Sequence, residues 1–218
     1  MASVLSKDDA APFLESNFRW DGIKTLFRRE VVLSTVWLAT AVFIVGFFIS
    51  HIYRENAERN FRDLLRAELY NVINSVTIGD QGVLVGSPQL GDLRFAKLAT
   101  GWYWLVEPGG DYAAAPLVSS SVGTSSLPVV SKSEVPFDEN YERYYGANDG
   151  FGNRVLVVET EVVLDTRGRS ARFRVTGNTA VVEDDVRDFT LKLYLSLIGF
   201  GLSGLLLHAL ARRSGRNP

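Results

Sequence analysis

The sequence lacks cysteine entirely and holds only two histidines and one methionine in 218 residues. Without cysteine the chain forms no disulfide and offers no thiolate for catalysis or metal binding. The two histidines, His51 and His208, lie at the edge of or inside apolar runs. Away from these runs the sequence therefore offers no histidine that could pair with a nucleophile, which argues against hydrolytic enzymes of the thiol or serine type.

Formal charge is also missing from two long stretches. Val31–Ser50 runs for twenty residues and Leu193–Ala211 for nineteen without a Lys, Arg, Asp or Glu. About 20 apolar residues in a helix are enough to cross the hydrocarbon core of a bilayer. The sequence thus predicts two transmembrane helices, which we assign to residues 31–53 and 189–211.

The basic residues next to these runs predict their orientation. Arg28 and Arg29 precede the first run, and Arg212 and Arg213 follow the second. By the positive-inside rule, residues 1–30 and the tail 212–218 are cytoplasmic, and residues 54–188 form an extracytoplasmic domain. Residues 54–190 carry 14 Lys and Arg against 20 Asp and Glu, and this acidic balance argues against a nucleic-acid partner.

A helical pattern follows the first run directly. Apolar residues recur there at spacings of three and four: Phe61, Leu64, Leu65, Leu69, Val72, Ile73 and Val76. No proline or glycine interrupts residues 47–78, so we expect one continuous helix to about residue 76. Its apolar stripe needs a partner, either the sheet of the outer domain or the same helix in a second copy.

The rest of the outer domain has the texture of short strands. We predict strands over residues 82–85, 101–106, 117–122, 154–164 and 170–176, with loop or irregular structure over 119–133 and 140–153. A second helix starts near Val182 and enters the second apolar run without an intervening proline or glycine. The expected fold class is α+β, with a long N-terminal helix, a mixed antiparallel sheet and two flanking transmembrane helices.

The hairpin formed by the last two predicted strands has a specific register. With residues 165–168 as its loop, Glu161 faces Arg172 and Glu159 faces Arg174. Opposite charges across an antiparallel pair contribute about 0.2–1 kcal/mol each. In the same register Phe173 and its alternate neighbours share an apolar face, so charge and hydropathy favour one alignment. We expect Arg154, Arg172 and Arg174 to pair with these two glutamates.

Two stretches resemble a known family. Asp92-Leu93-Arg94-Phe95 followed by Gly101-Trp102-Tyr103-Trp104 resembles "DPRF…SGxYWQ", with Leu93 in place of Pro and Leu105 in place of Gln. Residues 173–178, FRVTGN, followed by an acidic segment and Phe189, resemble the last strand and return helix of the same family. This family is the PAS-like (Cache-type) periplasmic sensor region of bacterial two-component histidine kinases, in a branch related to the magnesium-sensing kinases.

The resemblance implies a homodimeric sensor module in the bacterial inner membrane, with the outer domain in the periplasm. It implies that a periplasmic cue is passed inward as a displacement of the transmembrane helices. The chain itself shows neither a phospho-acceptor histidine helix nor a Gly-rich ATP motif. We therefore expect it not to be an enzyme, and expect any response regulator to be reached only through further cytoplasmic domains of a parent kinase.

Two candidate sites follow. Trp102 and Trp104 share one face of a strand, and with Asp92 and Arg94 of the preceding loop they are candidates to bind a small ligand or a periplasmic protein. Core packing is the commoner role of such aromatics. Glu183, Asp184 and Asp185 are candidate ligands for a divalent cation, Mg²⁺ or Ca²⁺, that would link the domain to membrane lipid. Their alternative role is to stabilise the start of a helix through its dipole.

Two other functions fit the same layout. The module could belong to a chemoreceptor or a cyclase, or the chain could be a stand-alone membrane adaptor that binds a protein through its outer domain. The residues above do not distinguish these alternatives from a kinase sensor.

Overall fold

The computed structural model describes residues 20–88, 90–123 and 127–214, and this part of the chain is α+β. The helices are α1 (Trp20–Ser75) and α2 (Ala180–Ser214). The strands are β1 (Val76–Ile78), β2 (Leu84–Gly86), β3 (Tyr103–Pro108), β4 (Leu117–Val118), β5 (Glu142–Asn148), β6 (Arg154–Val163) and β7 (Ser170–Asn178). Short 3₁₀ helices cover Leu93–Ala96 and Ser120–Val122.

The chain divides into two units, residues 1–45 and 46–218. In the first unit the described residues, 20–45, are helical. Large apolar side chains there are exposed, as at Val36 and Trp37. Such a surface is unfavourable in water and suits a lipid environment.

Two stretches of helix, Val32–Ser75 and Ala180–Leu207, are long and apolar enough to cross a membrane. Their most apolar windows are 6% and 0% buried respectively, so neither window is the core helix of the outer fold. These features, based on length and composition, indicate a membrane protein.

The second unit contains a five-stranded antiparallel sheet in the order β4-β3-β7-β6-β5 and a separate β1-β2 pair. The strand that comes last in the sequence, β7, lies at the centre between β3 and β6. The β6-β7 register predicted from the sequence is confirmed, with Glu159 opposite Arg174 and Glu161 opposite Arg172. The amide of Leu164 donates to the carbonyl of Arg169 at 2.8 Å and closes this hairpin.

Helix α1 packs its outer half on one face of the sheet. Its buried residues Phe61, Leu65, Leu69 and Val72 belong to one apolar cluster with Trp102, which directly precedes β3, and with the sheet residues Val106, Val158, Phe173 and Val175. The predicted apolar stripe of α1 therefore finds its partner in the sheet of the same chain. Gly177 of β7 permits the close approach, because a Cβ there would lie 2.7 Å from Phe61 and 2.8 Å from Leu65.

The opposite face of the sheet is covered as well. A second apolar cluster on this face joins residues of β3, β5 and β6 to Val122 and Leu127 of the long connection after β4: Tyr103, Leu105, Tyr145, Val155 and Val157. The connection predicted as loop over 119–133 thus closes a second core. This covering places Glu159, Arg174 and Thr176, each at most 1% exposed, inside the domain.

The predictions for two segments were wrong. Of the strand predicted over residues 117–122, only Leu117–Val118 is a strand, and Ser120–Val122 is a 3₁₀ helix. The sequence indicated irregular structure over residues 140–153, but Glu142–Asn148 forms strand β5 and pairs with residues 154–160 of β6. The turn residues Asp149, Gly150 and Gly152 lie only after the strand, in the loop to β6. Strand residues Glu142 and Arg143 are charged yet 2% exposed, and partners distant in sequence make this possible.

Candidate functional site

Trp102 is the first of three consecutive aromatic residues, 102–104, and is 2% exposed. Its ring meets Phe61 and Phe95 edge-on, with centroids 5.7 and 5.6 Å away. The guanidinium of Arg94 lies over it, 3.6 Å from the ring centroid. The structure thus brings Trp102 and Arg94 together, and packing fills the space around the indole.

Asp92 completes this arrangement from the preceding loop. Its carboxylate accepts hydrogen bonds from the Arg94 amide at 2.9 Å and the Arg94 Nε at 2.6 Å, and so caps the 3₁₀ helix at Leu93–Ala96. The bond from the Arg94 side chain lowers the pKa of Asp92. Trp104 lies two residues along the same face and is partly buried against the same cluster. Ligand binding by these four residues stays a prediction.

The acidic residues at the start of α2 point to different partners. Glu183 lies 3.5 Å from the guanidinium of Arg154. Asp185 accepts a hydrogen bond at 2.8 Å from the hydroxyl of Tyr53. Consecutive residues on a helix are about 100° apart, so three in a row do not converge. Within residues 20–88, 90–123 and 127–214, no three carboxylate, histidine or cysteine groups are placed to hold one metal ion. The predicted cation site stays untested.

The expected partners of the arginines were partly wrong. Arg172 does contact both Glu159 and Glu161, at 3.3 and 3.2 Å. Arg174, which faces Glu159 in the register, instead reaches Glu107 of β3. Arg154 pairs with Glu183 of α2 and not with β6. The register fixes which Cα atoms are opposite, while long side chains choose carboxylates on the neighbouring elements.

A buried ionic cluster that the sequence did not reveal lies under the connection after β4. The Glu159 carboxylate accepts from Arg143 Nη2 at 2.7 Å and from the Tyr145 hydroxyl at 2.8 Å. Arg143 also donates to the backbone carbonyls of Val130 and Val135. This cluster therefore fastens the covering connection to β5 and β6.

Burial affects the ionisation of Tyr145 in this cluster. Burial and the bond to Glu159 raise the pKa of Tyr145 to about 12. The side chains of Arg143 and Glu159 are both 0% exposed. Among the described residues, Arg143 Nε and Arg174 Nε and Nη1 find no hydrogen-bond partner. Buried donors of this kind commonly bind ordered water. A clue in the sequence was the run of two charged residues followed by two tyrosines, Glu142-Arg143-Tyr144-Tyr145.

A second ionic group ties α1 to β5. The carboxylate of Glu142 accepts from Arg66 Nε at 2.9 Å and from the hydroxyls of Tyr70 and Tyr144 at 2.6 and 2.7 Å. Although burial opposes ionisation, these donors hold the pKa of Glu142 below its usual value. Glu142 is thus a charged anchor for the outer end of α1.

The two helices meet beside the outer ends of the apolar segments. The ring of Tyr53 stacks on Phe189 with centroids 3.8 Å apart, in addition to its bond to Asp185. Further along, a Cβ on Gly46 would lie 3.1 Å from both Tyr194 and Leu197. α1 and α2 therefore contact each other at two places, through the side chain of Tyr53 and at Gly46.

The outer domain leads directly into α2. Only Thr179 separates Asn178, the end of β7, from Ala180, the start of the helix. Asn178 Oδ1 accepts from the Ala180 amide at 2.9 Å, and the Thr179 carbonyl accepts from the amides of Val182 and Glu183 at 3.0 Å. The arrangement can transmit a movement of the central strand to α2 without a flexible linker.

Comparison of the chain with models of known protein families, with curated proteins and with solved structures gave no match in any of the three.

Proposed function

We propose that this chain is the sensing and membrane-spanning module of a two-component histidine kinase and passes an outside cue inward by a displacement of α2 relative to α1. In this proposal the module is a homodimer in a bacterial inner membrane, with residues 54–188 in the periplasm and both termini in the cytoplasm. Its outer domain is PAS-like.

The observation that carries the proposal is the direct junction between β7 and α2. The central strand of the sheet and the helix are joined through one residue, Thr179. Helix shifts of about 1–2 Å are typical of such switches, and a flexible linker would absorb them. The Tyr53–Asp185 bond and the Tyr53–Phe189 stack supply a contact between the helices that such a shift would change.

Two further features support the finer parts of the proposal. A five-stranded antiparallel sheet with a long N-terminal helix on one face supports the PAS-like assignment. The matching stretches at residues 92–104 and 173–178 support the kinase branch.

An insertion tests the proposal. The chain is fused to the kinase domains of a histidine kinase of known output, and basal autophosphorylation is measured in vesicles. Gly-Ser-Gly inserted between Thr179 and Ala180 should change the output severalfold, because it breaks the rigid junction. The matched control inserts the same tripeptide after Gly110, where no atom of the described residues lies within 4 Å of a Cβ. Equal output from both insertions would contradict transmission through α2 and favour the adaptor alternative.

The cue in this proposal includes a divalent cation at Glu183, Asp184 and Asp185. The expected result is a rise in melting temperature with millimolar Mg²⁺ or Ca²⁺ that EDTA reverses. Changing the three residues to Gln, Asn and Asn should remove this rise. A rise that persists in the triple variant would place the cation elsewhere, and no rise in either protein would leave the module without a cation cue.

A further inference from the structure

A cleft of about 590 Å³ separates the outer parts of α1 and α2 and is closed on a third side by the turn end of the β5-β6 hairpin. Helix α1 contributes residues spaced by three and four, which place them on one face, and so does the start of α2. The volume of the cleft lies in the range of sites that bind small molecules.

The floor and the rim of the cleft differ in polarity. Phe61, Val155 and Val186 form an apolar floor and are 7%, 1% and 3% exposed. The rim carries five exposed charged residues: Arg54, Glu58, Arg62, Arg154 and Glu183. Three cations against two anions leave the rim with an excess of one positive charge.

The arginines of the rim have donors to offer. In the described part of the chain, neither Arg54 nor Arg62 has a carboxylate within salt-bridge distance. Arg154 reaches only Glu183, at 3.5 Å, with side chains 75% and 52% exposed. Exposed pairs of this kind are weak and exchange readily with other anions. The rim is therefore open to a ligand with more than one anionic oxygen.

The cleft begins close to the end of the first apolar run. Arg54 follows Ser50 by four residues and Arg62 follows it by twelve, which is roughly 6 and 18 Å along a helix. If the apolar run spans a bilayer, the polar headgroup layer extends roughly 5–7 Å beyond the hydrocarbon core. The lower rim of the cleft would then lie at the level of the headgroups.

We infer that this cleft binds a phosphate group carried on an apolar stem. The phosphate accepts charge-assisted hydrogen bonds from Arg54, Arg62 and Arg154, and the stem lies on the floor at Phe61 and Val186. Two sources share this chemistry, an anionic phospholipid of the adjoining leaflet and a soluble phosphate monoester. The inference goes beyond the proposed function, because binding in the cleft requires no kinase domain and no signal.

The absence of cysteine makes a clean binding experiment available. The full chain with N148C, at an exposed position on the cleft wall, is labelled with an environment-sensitive fluorophore and placed singly in phosphatidylcholine nanodiscs. One arm raises the fraction of phosphatidylglycerol, and the other adds n-hexyl phosphate in solution. We expect a saturable fluorescence change in at least one arm, and the arm that responds identifies the source.

Charge variants then assign the signal to the rim. R62Q should weaken the apparent affinity about tenfold, the value for loss of one charge-assisted bond, while E58Q should strengthen it. R167Q removes an equal charge from the exposed β6-β7 turn and should change nothing. These side chains are exposed, and circular dichroism checks that each variant is folded.

Three outcomes would overturn the inference. The first is the absence of a saturable fluorescence change in both arms. The second is an affinity that R62Q and R167Q change equally, which would mean a general charge effect. The third is a signal that appears without phosphate when the labelled chain is placed two to a disc instead of singly, which would assign the cleft to a second copy of the chain.

Discussion

Glu159 shows how much one side chain contributes to the outer domain. Its carboxylate is inaccessible to solvent and contacts Arg143, Tyr145 and Arg172. Two residues further along the same strand, Glu161 contacts Arg172 as well, but its side chain is 24% exposed and also pairs with Lys132. The two glutamates share a strand and a partner, and differ chiefly in burial.

This difference predicts unequal effects of neutralisation. E159Q should lower the free energy of unfolding by about 3–5 kcal/mol, because Arg143 would remain charged and buried without its partner. E161Q should cost about 0–1 kcal/mol, the usual range for a pair open to water. Urea unfolding of the chain in detergent, followed by tryptophan fluorescence, measures both. Equal losses would mean that burial does not determine the strength of the Glu159 interactions.

A second prediction at this scale concerns acid stability. Burial alone would raise the pKa of Asp149, but bonds from Asn153, Tyr103 and nearby amides outweigh it and hold the pKa below its usual value. A carboxyl with a depressed folded-state pKa stabilises the fold above its unfolded pKa of about 3.9. This stabilisation is lost as the pH falls through the folded-state pKa.

Melting temperature should therefore be nearly constant above about pH 5 and fall below about pH 4. The variant D149N should be less stable at pH 7 and show a shallower fall between about pH 4 and 2, since it has no proton to bind at this position. Calorimetry across that range makes the comparison. A fall as steep as that of the wild type would show that other carboxyls, such as Glu142, account for the acid transition.

Among the elements, α1 and β7 approach most closely at Gly177. A methyl group added there would lie under 3.0 Å from Phe61 and Leu65. In β5, by contrast, the part of the chain that the structure describes places no atom within 4 Å of the corresponding position at Gly146. Two glycines of the same sheet thus differ in the space beside them.

The substitution G177A should destabilise the domain by about 1–3 kcal/mol through overpacking. For a chain of this size that lowers the melting temperature by roughly 2–12 °C. G146A should be close to neutral, because its methyl group enters open space. Differential scanning fluorimetry distinguishes the two. Wild-type stability in G177A would mean that Phe61 moves aside without cost.

The sequence predicted those elements whose residues identify their own partners. The β6-β7 hairpin was confirmed because its charges and its apolar face require the same register. The helix to about residue 76 was confirmed because its stripe has a helical period. Strand β5 was missed because Glu142 and Arg143 look solvated, and only α1 and Glu159 make their burial possible.

Candidate site residues were predicted less completely, for the same reason. Asp92, Arg94 and Trp102 do meet, since they are close in sequence and joined by local hydrogen bonds. The pairing of Arg154 with Glu183 and of Arg174 with Glu107 joins elements far apart in the chain. No local pattern specifies such pairs, so they emerge only from the folded arrangement.

At the scale of the whole molecule, the contact between the helices depends on Gly46. Its missing side chain lets Tyr194 and Leu197 approach the α1 backbone. At Gly199 on α2, no atom within residues 20–88, 90–123 and 127–214 lies within 4 Å of a Cβ. One glycine of each apolar helix therefore offers a test and its control.

G46L should push the two helices apart by about 2 Å, the spread of interaxial distances set by the side chains at a contact. Spin labels at F48C and L195C, both exposed positions, allow the distance between the helices to be measured by double electron–electron resonance in nanodiscs. G199L should leave the distance unchanged. An unchanged distance in G46L as well would show that α1 and α2 do not touch at this point in lipid.

The central position of β7 governs when the outer domain can form. Strands β3 and β6 do not pair with each other; both pair with β7, which ends at Asn178. During synthesis, the residues of the outer domain up to 169 therefore emerge before β7, the strand that pairs with both β3 and β6. The sheet closes only when residue 178 is exposed, so a chain delayed before that point presents unpaired edges. A factor that protects such edges during synthesis should matter more for this chain than for one whose central strand comes first.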